Sequence, residues 1–540
     1  MDSMDDNAKV NLGINSHVNI VWLKRDLRLS DHEPLAHAIK SGTTLLYYVF
    51  EPLLINDPHY DVRHWRFIWQ SIQDINAQLE PFNTHVYVYF GDAIDGLNEI
   101  NHTYKVARLF SHEEIGLLST FDRDKSVKKW CKAHNIVWYE SASGAVSRGK
   151  KNRIDWDKHW RNVMKAPTIQ AELSSAAFVS TNYIANLSEP ILPTLWTTPN
   201  ELMLKGGEFW AHRTLQSFLH TRGKNYHFDI SKPLASRKSC SRLSPYLAWG
   251  NISLKQFYQT LLIKRVQSGW KRPIDALASR LHWHCHFIQK FESEHQMQWR
   301  PVNKAYNDLS YPDFHCGLSV DERLTKWKMA QTGYPLVDAC LRCLDKTGYV
   351  NFRMRAMLVS FLCHHLLVDW RLGVTYLAKL FLDFEPGIHY PQFQMQSGVT
   401  GTNIIRVYNP VKQSQEKDKD GQFIRKWLPQ LSELPNEMIH TPWKLSPMEQ
   451  QLYQCVLGEA YPLPIIDISV TGKIARDILW GFRQRFDTKK EGQRILAKHV
   501  RNTKKSIKPR KPKQSKTKIS SEHVTEAVKE NLLIKYKKDA

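Results

Sequence analysis

The 540-residue chain contains no run of 18 apolar residues, which excludes a helical membrane span. Its first fifteen residues (MDSMDDNAKVNLGIN) lack the charged-then-apolar pattern of a signal peptide. Cysteine is scarce: eight, without a repeated spacing, which argues against a disulfide framework and for a reducing compartment. No GxSxG, Walker loop, HExxH or kinase signature occurs, and no GxGxxG follows the first apolar run. Acidic residues are in deficit, 53 against 75 Lys and Arg, for a formal charge of +22. A polyanion is therefore the expected partner, nucleic acid ahead of membrane surface or acidic protein. Eighteen Trp add the rings that stack on bases, although any single Trp is more often core.

Part of the positive charge is local. Residues 504–518 (KKSIKPRKPKQSKTK) carry eight basic and no acidic side chains, and their composition cannot build a core. A disordered basic tail is expected over 502–540, and the remainder of the chain stays strongly positive without it. The cluster 508–513 (KPRKPK) could serve as a nuclear signal in a eukaryote, so the expected location is the cytoplasm, or the nucleus in that case. Residues 1–140 alternate short apolar runs at 17–23, 43–50, 84–90, 105–110 and 135–139 with helical spacing at 33–40, 63–79 and 120–134. This predicts an α/β domain with a Rossmann-like parallel sheet. Residues 141–207 are broken by prolines and read as an inter-domain linker. Residues 208–501 read as a larger all-helical domain, with helices at 207–219, 254–266, 274–291, 334–344, 351–365 and 373–381.

Within that region, Ser239 to Ser244 precede a helical stretch with Pro245 in its first turn, a weak anion-site pattern. Arg355 lies in an apolar helix and Asp383 follows another, so the two are expected to pair. Spacing alone makes that pair structural. Trp370 is read as ending the helix that carries Arg355. Cys340 and Cys343 are three apart on a helix, but no second pair completes a metal set. His282, His284 and His286 fan round a helix axis, and no metal is expected. His364 and His365 are expected to interact with a helix dipole.

Taken together and in order, several strings resemble the photolyase/cryptochrome family. They are residues 21–32 (VWLKRDLRLSDH), 111–114 (SHEE), Trp156 with Trp160, 240–247 (CSRLSPYL), 332–339 (TGYPLVDA), 408–410 (YNP) and 423–429 (FIRKWLP). The resemblance spans about residues 17–501. It implies an all-α FAD-binding domain holding the cofactor folded back on itself. It assigns Tyr226, Cys240, Ser241, Arg242, Leu243 and Ser244 to the diphosphate side, and Arg355 with Asp383, Phe384 and Glu385 to the isoalloxazine side. Trp283 matches the ring that stacks on a flipped pyrimidine lesion. The implied reaction is blue-light-driven repair of UV-damaged DNA by electron transfer from excited reduced flavin. A monomer is expected. The resemblance leaves open a second, antenna chromophore of folate, deazaflavin or flavin type in the N-terminal domain, or none.

The sequence also departs from the family pattern. Cys240 stands where Thr is usual. Arg280 replaces a lesion-contacting Glu, and Phe352, beside Arg353, replaces a lesion-contacting Asn or His. Counting from Asp383 puts His389 opposite flavin N5. Trp370 matches the middle member of the usual Trp electron chain, whereas the inner position counts to Phe393 and the outer falls near Gly317. Photoreduction would then need another route, through Tyr390, Tyr376 or Trp327, or would be slow. A cryptochrome-type photoreceptor is the alternative to a photolyase.

Overall fold

Runs rich in Val, Ile, Leu and Tyr suit strands covered on both faces. The structure, a computed structural model, describes residues 17–312 and 317–500. The expected tail lies outside the described residues. Strands β1 (Val18–Trp22), β2 (Thr44–Phe50), β3 (Tyr87–Phe90), β4 (Val106–His112) and β5 (Val137–Ser141) form one parallel sheet ordered β3-β2-β1-β4-β5. Alternate residues feed two cores. Ile20, Trp22, Leu45, Tyr47 and Leu109 face the helices Ala93–Thr103 and Leu118–Ala133. Val21, Leu46, Tyr48 and Phe110 belong instead to a core that continues into the helical region. The two domains thus share one hydrophobic interior.

The helix Ala93–Thr103 is not among those expected from the sequence, although Ala93, Leu97 and Ile100 recur at helical spacing. Gly96 lowers the local helix propensity, yet it is required. A Cβ there would lie 2.2 Å from the Tyr47 hydroxyl, so only glycine lets this helix approach β2. Residues 141–207 are more than a linker. The helix Trp156–Lys165 buries Trp156, Trp160 and Met164, four apart, in the main core and packs on the helix Leu254–Arg265. Flanking prolines concealed that spacing.

The helical region contains Glu208–Ser217, Leu254–Arg265, Lys271–Ser293, Pro335–Thr347, Phe352–Ser360 and Arg371–Leu380 near the expected positions. The helix expected over 351–365 stops at Ser360, and Phe361–His365 form a π turn. Trp370 is the N-cap of Arg371–Leu380, so it begins the next helix instead of ending the one with Arg355. His364 and His365 do not serve a dipole. Each is buried against backbone carbonyls, of Ser397 and Tyr408, and burial pushes both imidazoles down to about 4. Uncharged rings offer no charge–dipole energy. The helix Pro386–Gln396 is absent from the sequence reading because Pro391 interrupts it. Among the described residues, no helix is long and apolar enough to cross a membrane.

Candidate functional site

Residues 240–243 link two short helices, Ser236–Ser239 and Ser244–Ala248. Arg242 adopts φ 63°, a left-handed conformation that costs a non-glycine residue about 1–2 kcal/mol. Its guanidinium carbon lies 3.7 Å from the centroid of the Tyr349 ring, and its buried Nε has no hydrogen-bond partner. Burial pulls its pKa below the usual arginine value. Arg222 donates to the carbonyls of Thr214, Lys238, Cys240 and Ser241. Arg237 donates to the Tyr349 carbonyl at 3.2 Å and to Thr347 Oγ1 at 3.3 Å. Among the described residues, none of the three arginines has a salt-bridge partner, so the loop carries positive charge that a bound anion would neutralise. Leu243 and Tyr226 are buried beside it, and Tyr226 is within hydrogen-bonding reach of Arg280. Ser241 Oγ accepts from the Leu243 N–H at 3.4 Å. Burial pushes the Cys240 thiol up to about 11, so it stays protonated.

Arg355 and Asp383 meet as expected, Nη2 to Oδ2 at 2.8 Å. Arg355 also donates to the Val350 carbonyl at 3.0 Å and lies over the Phe381 ring at 3.9 Å. Burial raises the Asp383 carboxyl, but Arg355, helped by the Ser244 side chain and the Arg242 charge, outweighs it and holds the group below the ordinary carboxylate value. Its second oxygen, Oδ1, is buried and makes no close hydrogen bond, with only the Ser244 side chain near the carboxylate. Phe384 is buried and stacks on His59 at 5.4 Å. Glu385 is committed elsewhere: it caps the helix Pro386–Gln396 through the Gly387 N–H and faces Arg25 at 3.4 Å across the domain boundary. His389 Nε2 donates to the Val374 carbonyl at 2.8 Å, and burial pushes this imidazole down to about 3.

Trp283 is 45 % exposed and Phe352 52 % exposed. Trp283 stacks on Phe287 at 5.6 Å. Phe352 opens the helix Phe352–Ser360, and the adjacent Arg353 donates to Gln413 at 3.3 Å. Arg280 is exposed one turn before Trp283. Trp370, by contrast, is buried, with its indole N–H unpartnered.

Two features escaped the sequence reading. A cavity of about 270 Å³ opens between the domains. It lies beyond the carboxyl ends of β1, β4 and β5, where the strand order reverses between β1 and β4, the place open α/β sheets offer to ligands. Arg25, Asp26, His112 and Glu114 line it from the sheet, and Leu247, Lys255 and His284 from the helical side. Asp26 Oδ2 accepts from His32 Nε2 at 2.9 Å and from His112 Nδ1 at 2.7 Å. The cluster has the composition of a metal site. However, His32 Nδ1 accepts the Leu35 N–H at 3.1 Å, which leaves the ring proton on Nε2 and no lone pair there for a metal. The second feature is a buried ion network around Arg123, which meets Glu51 at 2.5 Å, Glu114 at 2.6 Å and Asp124 at 2.8 Å. Glu51 and Glu114 are far from Arg123 in the chain or separated from it by a loop, so spacing carries no signal of the pairing.

A parallel α/β domain docked on a helical domain with an anion-ready loop and a buried Arg–Asp pair defines a two-domain cofactor-binding protein. The family model for DNA photolyase matches residues 19–148, and that for the FAD binding domain of DNA photolyase matches 277–480, together more than half of the chain. The chain belongs to the photolyase/cryptochrome family and carries its FAD-binding domain. A deoxyribodipyrimidine photo-lyase of Alkalihalophilus pseudofirmus is 27 % identical over 497 residues, covering 87 % of this chain and 99 % of that one. A cryptochrome DASH of Synechocystis sp. is 26 % identical over 493 residues, covering 85 % and 97 %. The crystal structure of a Synechocystis sp. cryptochrome superposes with a TM-score of 0.76 at 24 % identity, covering 86 % of this chain and 100 % of that one.

Proposed function

We propose that the protein is a blue-light-driven DNA photolyase that splits pyrimidine dimers. The residues present fit a flavin dinucleotide on two observations. The buried Nε of Arg242 is a donor without an acceptor, and the buried Oδ1 of Asp383 makes no close hydrogen bond, with only the Ser244 side chain near the carboxylate. Such groups cost about 1–3 kcal/mol each unless something bonds to them, so each calls for a complementary polar group. Arg242, with Ser241 and Ser244, would hold the diphosphate, and Arg355 with Asp383 would orient the ring system. Bound FAD supplies light absorption and one-electron transfer. Trp283 would stack on a base drawn out of the duplex, and Arg280 and Arg353 would meet the nearby backbone or lesion carbonyls. The inter-domain cavity, at the sheet's ligand position, would take a second, light-harvesting chromophore. The partner on this reading is UV-damaged DNA, bound by a monomer.

The observation that carries the reading is the buried Arg355–Asp383 salt bridge beside the unpartnered Nε of Arg242. The relatives include cryptochrome DASH proteins as well as photo-lyases, and Phe352 removes a polar lesion contact, so a photoreceptor without repair activity is the second reading. One assay separates them. The protein is reduced chemically, mixed with DNA carrying a cyclobutane dimer or a (6-4) lesion, and illuminated with blue light against a dark control. Light-dependent loss of either lesion is expected. Loss of neither, with reduced flavin bound, favours the photoreceptor.

A further inference from the structure

Arg153 belongs to the segment between β5 and the helix Trp156–Lys165 and is 7 % exposed. Its Nη2 donates to the His286 carbonyl at 3.1 Å, and its guanidinium carbon lies 5.0 Å from the centroid of the Trp156 ring. Its other terminal nitrogen, Nη1, is buried with no hydrogen-bond partner. His286 lies in the helix Lys271–Ser293, where each carbonyl receives the N–H four residues on. Arg153 therefore docks on the turn that carries Lys290. Lys290 is 9 % exposed, and among the described residues its ammonium makes no hydrogen bond or ion pair.

Three carboxylates stand nearby, and each is engaged elsewhere. Glu294 meets Arg494 at 2.8 Å, Lys498 at 3.1 Å and His499 at 3.2 Å. Glu292 accepts from the Gly149 N–H at 2.7 Å, from Ser293 Oγ at 3.1 Å and from Gln289 Nε2 at 3.2 Å. Asp157 meets His282 at 3.1 Å. The His286 imidazole is pushed down to about 3, first by burial and then by Arg153 and Lys290, so it adds no charge. Burial pulls Arg153 down to about 10. It also pulls Lys290 down to about 8, where Arg153 and Arg494 act with it against Glu294. Two buried cations without a counter-charge are costly. An arginine fork beside an ammonium is the donor set that a phosphate oxyanion satisfies. Lys290 follows Trp283 by two helical turns, so the two share a helix face about 10 Å apart.

We infer that Arg153 and Lys290 form a phosphate-binding site separate from the loop around Arg242. Arg153 Nη1 donates to one oxygen of the bound oxyanion and Lys290 Nζ to another, and the anion holds Lys290 protonated. Two sources offer this chemistry: a backbone phosphodiester of DNA held at Trp283, and a free phosphate ion. The first source rests on the proposed DNA-binding function; the second does not.

The test uses the flavin-loaded full-length protein, grown on lysine isotopically labelled at Cε and titrated with acid and base in the NMR spectrometer. The Lys290 resonance is assigned by its loss in Lys290→Met, which keeps an unbranched chain and removes only the unpaired charge. Flavin content of each variant, read from its absorbance, controls for folding. One sample receives inorganic phosphate, and another receives a dimer-containing DNA duplex in phosphate-free buffer, both at constant ionic strength. The titration midpoint of Lys290 should rise by about one pH unit, which corresponds to roughly tenfold tighter anion binding by the protonated form. Arg153→Gln should need about tenfold more ligand for the same rise. A rise with inorganic phosphate upholds a site for the free ion. A rise with the duplex alone upholds a backbone site, and Lys290→Met should then lower the salt slope of DNA binding by about 0.9. A rise with inorganic phosphate in a protein that does not bind the duplex upholds the site and overturns the DNA reading. No rise with either ligand overturns the inference, whether or not the duplex binds.

Discussion

Asp383 shows what one side chain can report about a missing partner. Its Oδ2 is paired with Arg355, and its buried Oδ1 makes no close hydrogen bond, with only the Ser244 side chain near the carboxylate. Asp383→Asn would remove the charge that balances Arg355 and replace one of the two carboxylate oxygens by an NH2 donor. A hydrogen bond to a charged group is worth about 1.5–3 kcal/mol. Flavin affinity should therefore fall roughly 10- to 100-fold, measured by titrating apoprotein with FAD. An unchanged affinity and an unchanged flavin spectrum would remove Asp383 from the site. Trp283 makes the opposite kind of prediction. At 45 % exposed it contributes little to the fold, so Trp283→Ala should leave the melting temperature nearly unchanged. Stacking on a base is worth about 1–3 kcal/mol, and the variant should bind damaged DNA about 5- to 150-fold more weakly. Equal affinity of wild type and variant for lesion DNA would exclude stacking at this position.

Helices that meet closely do so through small residues. Gly387, near the start of Pro386–Gln396, approaches the helix Lys271–Ser293. A Cβ there would lie 2.9 Å from Ile288 Cα, which is backbone and cannot swing aside. Gly387→Ala should destabilise the protein by about 1–3 kcal/mol, read as a lower denaturation midpoint, and should loosen flavin because the same helix carries His389. A midpoint equal to the wild type would show that the two helices can separate at no cost. Most elements were legible at this scale: β1 and β2 from their continuous apolar runs, and the helix Glu33–Lys40 to the residue. The ones that were not share a cause. Ala93–Thr103, Trp156–Lys165 and Pro386–Gln396 hold a glycine, proline-broken flanks or an internal proline, and their packing against neighbours overrides local propensity. The contact between Arg355 and Asp383 was legible because charge in an apolar stretch demands a partner. The docking of Arg153 on His286 was not, since nothing in its spacing links two segments 133 residues apart.

The molecule as a whole should be sensitive to acid. Burial first of all pushes His64, His284, His364 and His365 down to about 4. An unfolded histidine titrates near 6.5, so below that value the unfolded chain binds more protons than the folded one. Stability contributed by these groups is complete above about pH 6.5 and is lost as pH falls towards about 4, by about 1.4 kcal/mol per pH unit for each histidine. Urea midpoints should be flat from pH 8 to 7 and drop steeply between 6 and 5; a flat profile down to 5 would mean these rings are hydrated. The tail, outside the described residues, makes a prediction from charge alone. Deleting residues 502–540 should lower DNA affinity and flatten its dependence on salt while leaving flavin content intact, because fewer counterions are released. Equal salt slopes for the two proteins would show that the tail makes no phosphate contacts. The chain by itself determined the two-part architecture, the positive charge and the family, because hydrophobic periodicity, composition and ordered motifs are one-dimensional properties. Tertiary structure alone decided that the two domains share a core, that their boundary opens into a charged cavity, and that an arginine from between the domains docks on the helix turn of a buried lysine. Those depend on which distant segments pack together, a choice made by burying apolar surface over the entire chain.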